Sequence, residues 1–155
     1  MNLAASWEYI QSVANIRRRG NRTPRHIDVE YLETIGAAGE VAARRFLGLT
    51  EKLHTGFDKG TDFRWRGWRV DVKTTVLTRK VGLRYLQWPK TKPVKADIIF
   101  MVAVDRERNE AVPIGFALKQ ELLDAPVNYE RQYPCYEIPF GSLHPAWEMY
   151  TIRLK

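Results

Sequence analysis

The chain has 155 residues, 45% of them hydrophobic, and a formal net charge of +7 at pH 7. That length allows one domain with a core of its own, and the positive charge favours a polyanionic partner such as nucleic acid. A single cysteine, Cys135, rules out an intrachain disulfide, and the longest purely apolar run, residues 98–104, is too short to span a bilayer. Residues 2–7 carry no signal-peptide pattern, so we expect a cytoplasmic protein with no membrane partner.

The N-terminal segment combines an amphipathic helix with the densest group of basic residues. Apolar residues recur at helical spacing and predict a helix over residues 3–19, which Gly20 ends. Five arginines lie within nine positions here: Arg17, Arg18, Arg19, Arg22 and Arg25. Arginine suits phosphate, so this group predicts contacts with a DNA backbone. Helix capping followed by a solvated loop is the alternative interpretation.

A second helix is predicted over residues 28–47, with Asp28 as its cap and a break near Gly36 and Gly39. Small residues in its middle would allow close packing on a sheet. Glu40 stands among these alanines and glycines. Taken alone, it is most simply an exposed glutamate on the helix surface.

Residues 61–73, with the sequence TDFRWRGWRVDVK, predict a β-hairpin that turns at Arg66 and Gly67. A turn centred there pairs Trp65 with Trp68 and, further along, Asp62 with Asp71. Side chains alternate between the two faces of a strand. One face is then wholly apolar (63, 65, 68, 70 and 72) and the other wholly charged (62, 64, 69, 71 and 73), and this sorting supports the register.

The two aspartates of this hairpin form an unusual pair. Side chains directly opposite each other have their Cβ atoms roughly 5 Å apart, a distance at which like charges repel. A divalent cation between them would remove the repulsion, and carboxylate oxygens suit Mg²⁺ or Mn²⁺. Lys73 follows Asp71 by two residues and points to the same face, where it would position or polarise a water near the metal.

The remainder of the chain predicts further strands and a short helix. Residues 79–95 are basic, with Lys80 and Arg84 as phosphate-binding candidates and with Tyr85 and Trp88 as either base-stacking or packing residues. Strands are expected over 96–104 and over 111–118, where Pro113 interrupts the pattern. A helix is expected over 119–123 and short strands over 136–138 and 149–154. This order indicates an α/β or α+β protein with a mixed sheet.

The chain resembles the PD-(D/E)xK nuclease superfamily, which includes type II restriction enzymes and archaeal Holliday-junction resolvases. Three short motifs carry the resemblance: Gly39 with Glu40, Gly60-Thr61-Asp62, and Asp71-Val72-Lys73-Thr74. Residues 96–100 and 114–117 look like later strands of the same core. The resemblance spans roughly residues 36–123, and Thr61 stands where the superfamily's name has proline.

This resemblance implies an α/β fold with a restriction-endonuclease-like core. The core would be a central mixed sheet of four to five strands flanked by helices, over residues 36–123. A helical and basic extension would precede it over 1–35, and C-terminal strands would follow over 124–155, all within one domain.

The resemblance also implies a DNA endonuclease that depends on Mg²⁺, with Mn²⁺ as a substitute for that ion. Its substrate would be branched DNA or the DNA of a phage or mobile element. Asp62, Asp71 and the Val72 carbonyl would bind the metal, and Glu40 would complete the site directly or through water. Lys73 would position the attacking water or stabilise the transition state, and the product would carry a 5′-phosphate.

Two other interpretations remain open. In the first, the chain is a non-catalytic nucleic-acid-binding protein whose aspartates pair with Arg64, Arg69 and Lys73. In the second, the nuclease acts on branched DNA or on free ends. A homodimer would favour paired cuts, and a monomer would favour nicking or trimming.

Overall fold

The helices and strands form a mixed α/β architecture with two separate sheets. A computed structural model of the protein describes residues 1–20, 29–53, 60–77 and 85–153. Within these ranges the α-helices are α1 (Trp7–Gly20), α2 (Val29–Phe46) and α3 (Lys119–Asp124). The strands are β1 (Phe63–Trp65), β2 (Trp68–Val76), β3 (Tyr85–Pro89), β4 (Ile98–Asp105), β5 (Glu110–Leu118), β6 (Val127–Asn128), β7 (Cys135–Pro139) and β8 (His144–Pro145).

The main sheet has five strands in the order β1-β2-β4-β5-β8. Strands β2 and β4 run parallel, and the other neighbouring pairs are antiparallel. The predicted class, a mixed sheet of four to five strands flanked by helices, is confirmed at this level. Pro113 lies where the β4–β5 register shifts between Met101 and Val102, which suits a residue that has no N–H to donate.

Two apolar cores cover the two faces of the main sheet. Helices α1 and α2 pack on one face, against Val70 and Val72 of β2 and the even-numbered residues of β4. The small sheet, with strand order β3-β7-β6, packs on the other face, where Leu86 and Trp88 meet Ile99. Along the described residues, no helix is both long and apolar enough to cross a membrane.

The hairpin prediction is confirmed for its turn and for the register from Phe63 to Trp65, but the predicted direct pairing of Asp62 with Asp71 is not part of the ladder. Phe63 pairs with Val70 and Trp65 pairs with Trp68, so the chain reverses at two residues. Arg66 has φ 48° and Gly67 has φ 86°. Positive φ at both central residues is the signature of the two-residue turn that matches the twist of paired strands.

Two predictions of secondary structure are wrong. Helix α2 is continuous through Gly36 and Gly39, because its apolar face is held against the main sheet and this packing outweighs the low helix propensity of glycine. At the C-terminus, the expected strand over residues 149–154 is largely a 3-10 helix, Ala146–Thr151, which buries Met149 against the sheet.

Candidate functional site

Asp62 lies one residue before β1, and its carboxylate is held by the backbone of the neighbouring strand. The Asp62 N–H donates to the Val70 carbonyl at 2.8 Å, so regular pairing ends at Phe63. Its side-chain Oδ2 accepts a hydrogen bond of 2.5 Å from the N–H of Val72. The carboxylate therefore takes the place that a backbone carbonyl would fill in a longer strand. Irregularities of this kind at a strand end redirect side chains.

This hydrogen bond brings the two aspartates close together, although the ladder does not extend to them. Two covalent bonds separate Val72 N from the Asp71 Cα atom, so Asp62 Oδ2 lies within about 5.4 Å of that Cα. The Asp62 carboxylate is thus separated from the Asp71 backbone by about the length of one peptide unit. The sequence predicted direct pairing, and the structure reaches proximity through a side-chain hydrogen bond.

Asp71 and Lys73 form a partly enclosed ion pair on β2. Asp71 is only 3% exposed, and its Oδ2 accepts a hydrogen bond from Lys73 Nζ. The same ammonium lies 4.5 Å from the centre of the Trp88 ring. A cation between a carboxylate and an indole face is held in place by both. The position of Lys73 is therefore fixed from two sides.

The site residues are distributed over both faces of the main sheet. Asp71 and Lys73 are in register with Ile99 and Met101, which belong to the core beneath the small sheet. Neighbours in paired strands share a face, so both side chains point toward the small sheet. Glu40 belongs to α2 and lies on the opposite face. Asp62 lies at the edge of β2, between the two sides.

Glu40 is not the exposed residue that its helical context alone suggested. It is 7% exposed and binds Arg17 of α1 through two hydrogen bonds, Nη1 to Oε1 at 2.5 Å and Nη2 to Oε2 at 2.9 Å. A buried carboxylate needs such a partner, because an unpaired charge in an apolar setting is costly. Arg17, predicted as a DNA contact, is in this state the partner of Glu40.

Arg17 also responds to the acidic residues around it. Partial burial lowers the pKa of its guanidinium, whereas the hydrogen bonds and the charge of Glu40 raise it, and the net effect of all its neighbours is a raised pKa. The carboxylates of Asp62 and Glu33 raise it in the same direction. Arg17 therefore lies within electrostatic reach of both Glu40 and Asp62, and it links the helical side of the site with the hairpin.

Gly39 allows α2 to approach β2 closely beside Glu40. A Cβ atom at this position would lie 2.0 Å from Oγ1 of Thr74, far inside any real contact distance. Thr74 follows Lys73 on β2. The contact of Gly39 with Thr74 therefore fixes where the next residue, Glu40, lies along β2. The sequence indicated close packing at this glycine but not its partner.

The oxygen donors of Asp62 and Asp71 are of the chemical type that a hard divalent cation prefers. Asp62 and Asp71 supply carboxylate oxygens, which Mg²⁺ and Mn²⁺ prefer. Among the residues that the structure describes, no group of three or more His, Cys, Asp or Glu side chains is arranged to hold an ion. The predicted set thus consists of one close aspartate pair and Glu40, which is bound to Arg17.

Asp97, which precedes β4, binds Arg69, and no pattern in the sequence indicated this role. Arg69 donates to its carboxylate through the backbone N–H at 2.9 Å and through Nε and Nη2 at 3.1 and 2.9 Å. These hydrogen bonds and the charge of Asp97 raise the pKa of Arg69. The alternative interpretation paired Arg69 with the hairpin aspartates, whereas its guanidinium binds Asp97. Arg69 and Asp97 are 28 positions apart in the sequence, so no local pattern indicated that they would pair.

Of the other residues predicted to contact nucleic acid, two lie within the ranges that the structure describes and four lie outside them. Arg18 and Arg19 are exposed in the last turn of α1. Four other residues lie outside the described ranges, so their roles stay predictions: Arg22, Arg25, Lys80 and Arg84.

Fold and site together describe a mixed α/β protein with a close aspartate pair and an adjacent lysine on its central sheet. Comparisons of the chain with protein-family models, with curated proteins and with solved structures found no match.

Proposed function

We propose that the protein is a Mg²⁺-dependent DNA endonuclease of the PD-(D/E)xK type. The observation that carries this proposal is the hydrogen bond from Val72 N to Asp62, which holds one carboxylate next to Asp71 and Lys73. Asp62 thus lies beside the strand that carries Asp71 and Lys73, and two carboxylates with a lysine can supply the metal ligands and the cation that metal-dependent phosphodiester hydrolysis uses.

Each residue of the group has a distinct role in this proposal. Asp62, Asp71 and the Val72 carbonyl would hold the cation, and Glu40 would be the further carboxylate of the set. The bound cation would neutralise charge on the scissile phosphate and lower the pKa of water. Lys73 orients the attacking water or stabilises the charge that develops on the phosphate. The leaving group is the 3′ oxygen, so the product carries a 5′-phosphate.

The charge of the chain supports DNA as the substrate. A net charge of +7 attracts a polyanion over long range, and Arg18 and Arg19 offer guanidinium groups to phosphates. Binding should therefore weaken steeply as salt increases. The setting that we propose is the cytoplasm of a prokaryotic or phage-infected cell.

A non-catalytic nucleic-acid-binding protein is the second candidate. Two ion pairs favour it: Asp71 is paired with Lys73, and Glu40 is paired with Arg17. In such a protein these ion pairs would be structural, and no divalent cation would be needed.

Plasmid nicking separates the two candidates. The wild-type protein should convert supercoiled plasmid to nicked or linear DNA in Mg²⁺ or Mn²⁺ and should not do so in EDTA. The variants Asp71→Asn and Lys73→Gln should lose about a hundredfold or more of this activity. They should still bind DNA in Ca²⁺, which would show that they fold.

Asp124→Asn is the matched control, because this aspartate is exposed at the end of α3. It should nick at the wild-type rate. Nicking by Asp71→Asn at the same rate as the control would rule out the proposed nuclease.

A further inference from the structure

One end of the small sheet presents two tyrosines and two lysines to solvent. We define Lys90, Lys92, Tyr129 and Tyr133 as the tyrosine–lysine surface. Tyr129 is 66% exposed and Tyr133 is 60% exposed, which is unusual for rings of this size. Lys90 N donates to the carbonyl of Pro134, next to Tyr133, and Lys90 Nζ lies 3.2 Å from the Tyr129 hydroxyl. Lys90 therefore lies beside both tyrosine segments, and Lys92 follows it two residues later in the same exposed turn.

The tyrosine–lysine surface is connected to the candidate site through the side chain of Trp88. Trp88 is buried, with Lys73 Nζ 4.5 Å and Lys92 Nζ 5.2 Å from its ring centre. Its indole N–H also donates to the carbonyl of Lys92 at 2.8 Å. Lys73 and Lys92 therefore contact the same indole ring, which places the lysine end of this surface beside the candidate site.

The chemistry of this surface fits an unpaired nucleic-acid strand. Lysines contact backbone phosphates, and exposed rings stack on bases. In a duplex the faces of the bases are covered by their neighbours, so only an unpaired strand can use both features. Of the acids nearby, Glu137 is bound by Arg131 at 3.0 Å, and Glu130 is exposed between the two tyrosines.

We propose that the tyrosine–lysine surface binds single-stranded DNA and leads it to Lys73. The substrate of the enzyme would then carry an unpaired segment next to the bond that is cut, as does a flap, a gap, a free end or a stretch of plasmid that negative supercoiling has unpaired. This inference rests on the proposed nuclease function for the cleavage step. The binding step needs no metal and can be tested by itself.

Fluorescence anisotropy in EDTA tests the binding step with labelled oligothymidylate and with a blunt duplex of equal length. The wild-type protein should bind the single strand more tightly than the duplex. The double variant Tyr129→Ala, Tyr133→Ala should lose roughly tenfold or more of its affinity for the strand and little for the duplex. Unchanged strand affinity, or an equal loss on both ligands, would overturn the proposal.

Three further variants test whether stacking and charge cause this effect. The double variant Tyr129→Phe, Tyr133→Phe keeps both rings and should bind as the wild type does. Trp147→Ala is the matched control, because Trp147 is 62% exposed on the 3-10 helix Ala146–Thr151 and not on the small sheet. It should leave strand affinity unchanged, and a loss equal to that of the alanine pair would overturn the proposal. Glu130→Gln should tighten binding, and weaker binding would count against the surface.

The two proposals can fail separately. Tyrosine-dependent strand binding with Asp71-independent nicking would overturn the nuclease function alone. Asp71-dependent nicking with tyrosine-independent strand binding would overturn the single-strand surface alone.

Discussion

The ion pair between Arg17 and Glu40 makes a quantitative prediction about folding stability. The pair joins α1 to α2, and its side chains are 17% and 9% exposed, respectively. We consider the variants Arg17→Gln and Glu40→Gln and the double variant. Each single change leaves the other charge in a largely enclosed position, which is the costly outcome.

The expected magnitudes follow from the geometry of the pair. Two charges about 4 Å apart interact by about 4 kcal/mol at the effective dielectric of a protein surface. Removing one partner of a buried pair costs about 3–5 kcal/mol, and the partial exposure of Arg17 places this pair at the lower end. Each single variant should therefore lose about 3 kcal/mol of unfolding free energy. The double variant should lose about 4 kcal/mol, which corresponds to a coupling of about 2 kcal/mol.

Urea unfolding in EDTA, followed by circular dichroism, measures these losses. The ion pair between Arg45 and Glu51 is the control, since its side chains are 30% and 36% exposed. Exposed pairs contribute little, so its coupling should be below about 1 kcal/mol. If the losses of Arg17→Gln and Glu40→Gln add to within about 0.5 kcal/mol, the reasoning about this pair is wrong.

Three further predictions concern the contact of α2 with β2, the hairpin turn, and the far edge of the main sheet. Gly39→Ala should lower the unfolding free energy by about 2 kcal/mol, because its Cβ would meet Thr74 Oγ1 at 2.0 Å, and a loss below about 0.5 kcal/mol in urea unfolding would contradict the close contact. Gly67→Ala should cost about 1 kcal/mol, because φ is 86° there, and a melting temperature equal to or above that of the wild type would argue against this turn. The hydrogen bond to Glu121 raises the pKa of His144 above its usual 6.5. The wild type should therefore be more stable than His144→Gln, with the whole difference in unfolding free energy present below pH 6.5 and lost as pH rises through the raised pKa. A difference that grows with pH would refute this prediction.

Much of the fold could be predicted from local patterns in the sequence. The turn at Arg66 and Gly67 is visible because complete sorting of apolar and charged residues leaves only one register. The end of that register at Asp62 is not visible, because it depends on one side chain replacing a backbone acceptor. The sequence predicted that Asp62 pairs directly with Asp71, whereas the structure holds Asp62 beside β2 through its side chain.

Contacts between distant parts of the chain could not be predicted in this way. The small sheet pairs Leu86 with Ile138, and no periodicity links segments so far apart. Arg17 and Glu40 are likewise 23 residues apart. One signal was present, since a glutamate within an alanine-rich and glycine-rich helix that packs on a sheet needs a cationic partner. Arg17, in the last turn of the preceding helix, was available as that partner.

Anomalous diffraction from a crystal soaked in Mn²⁺ tests the central claim most directly. We expect one strong peak that has carboxylate oxygens of both Asp62 and Asp71 as ligands, and its loss in crystals of Asp71→Asn. A crystal saturated with Mn²⁺ that shows no density shared by these two residues would contradict the account.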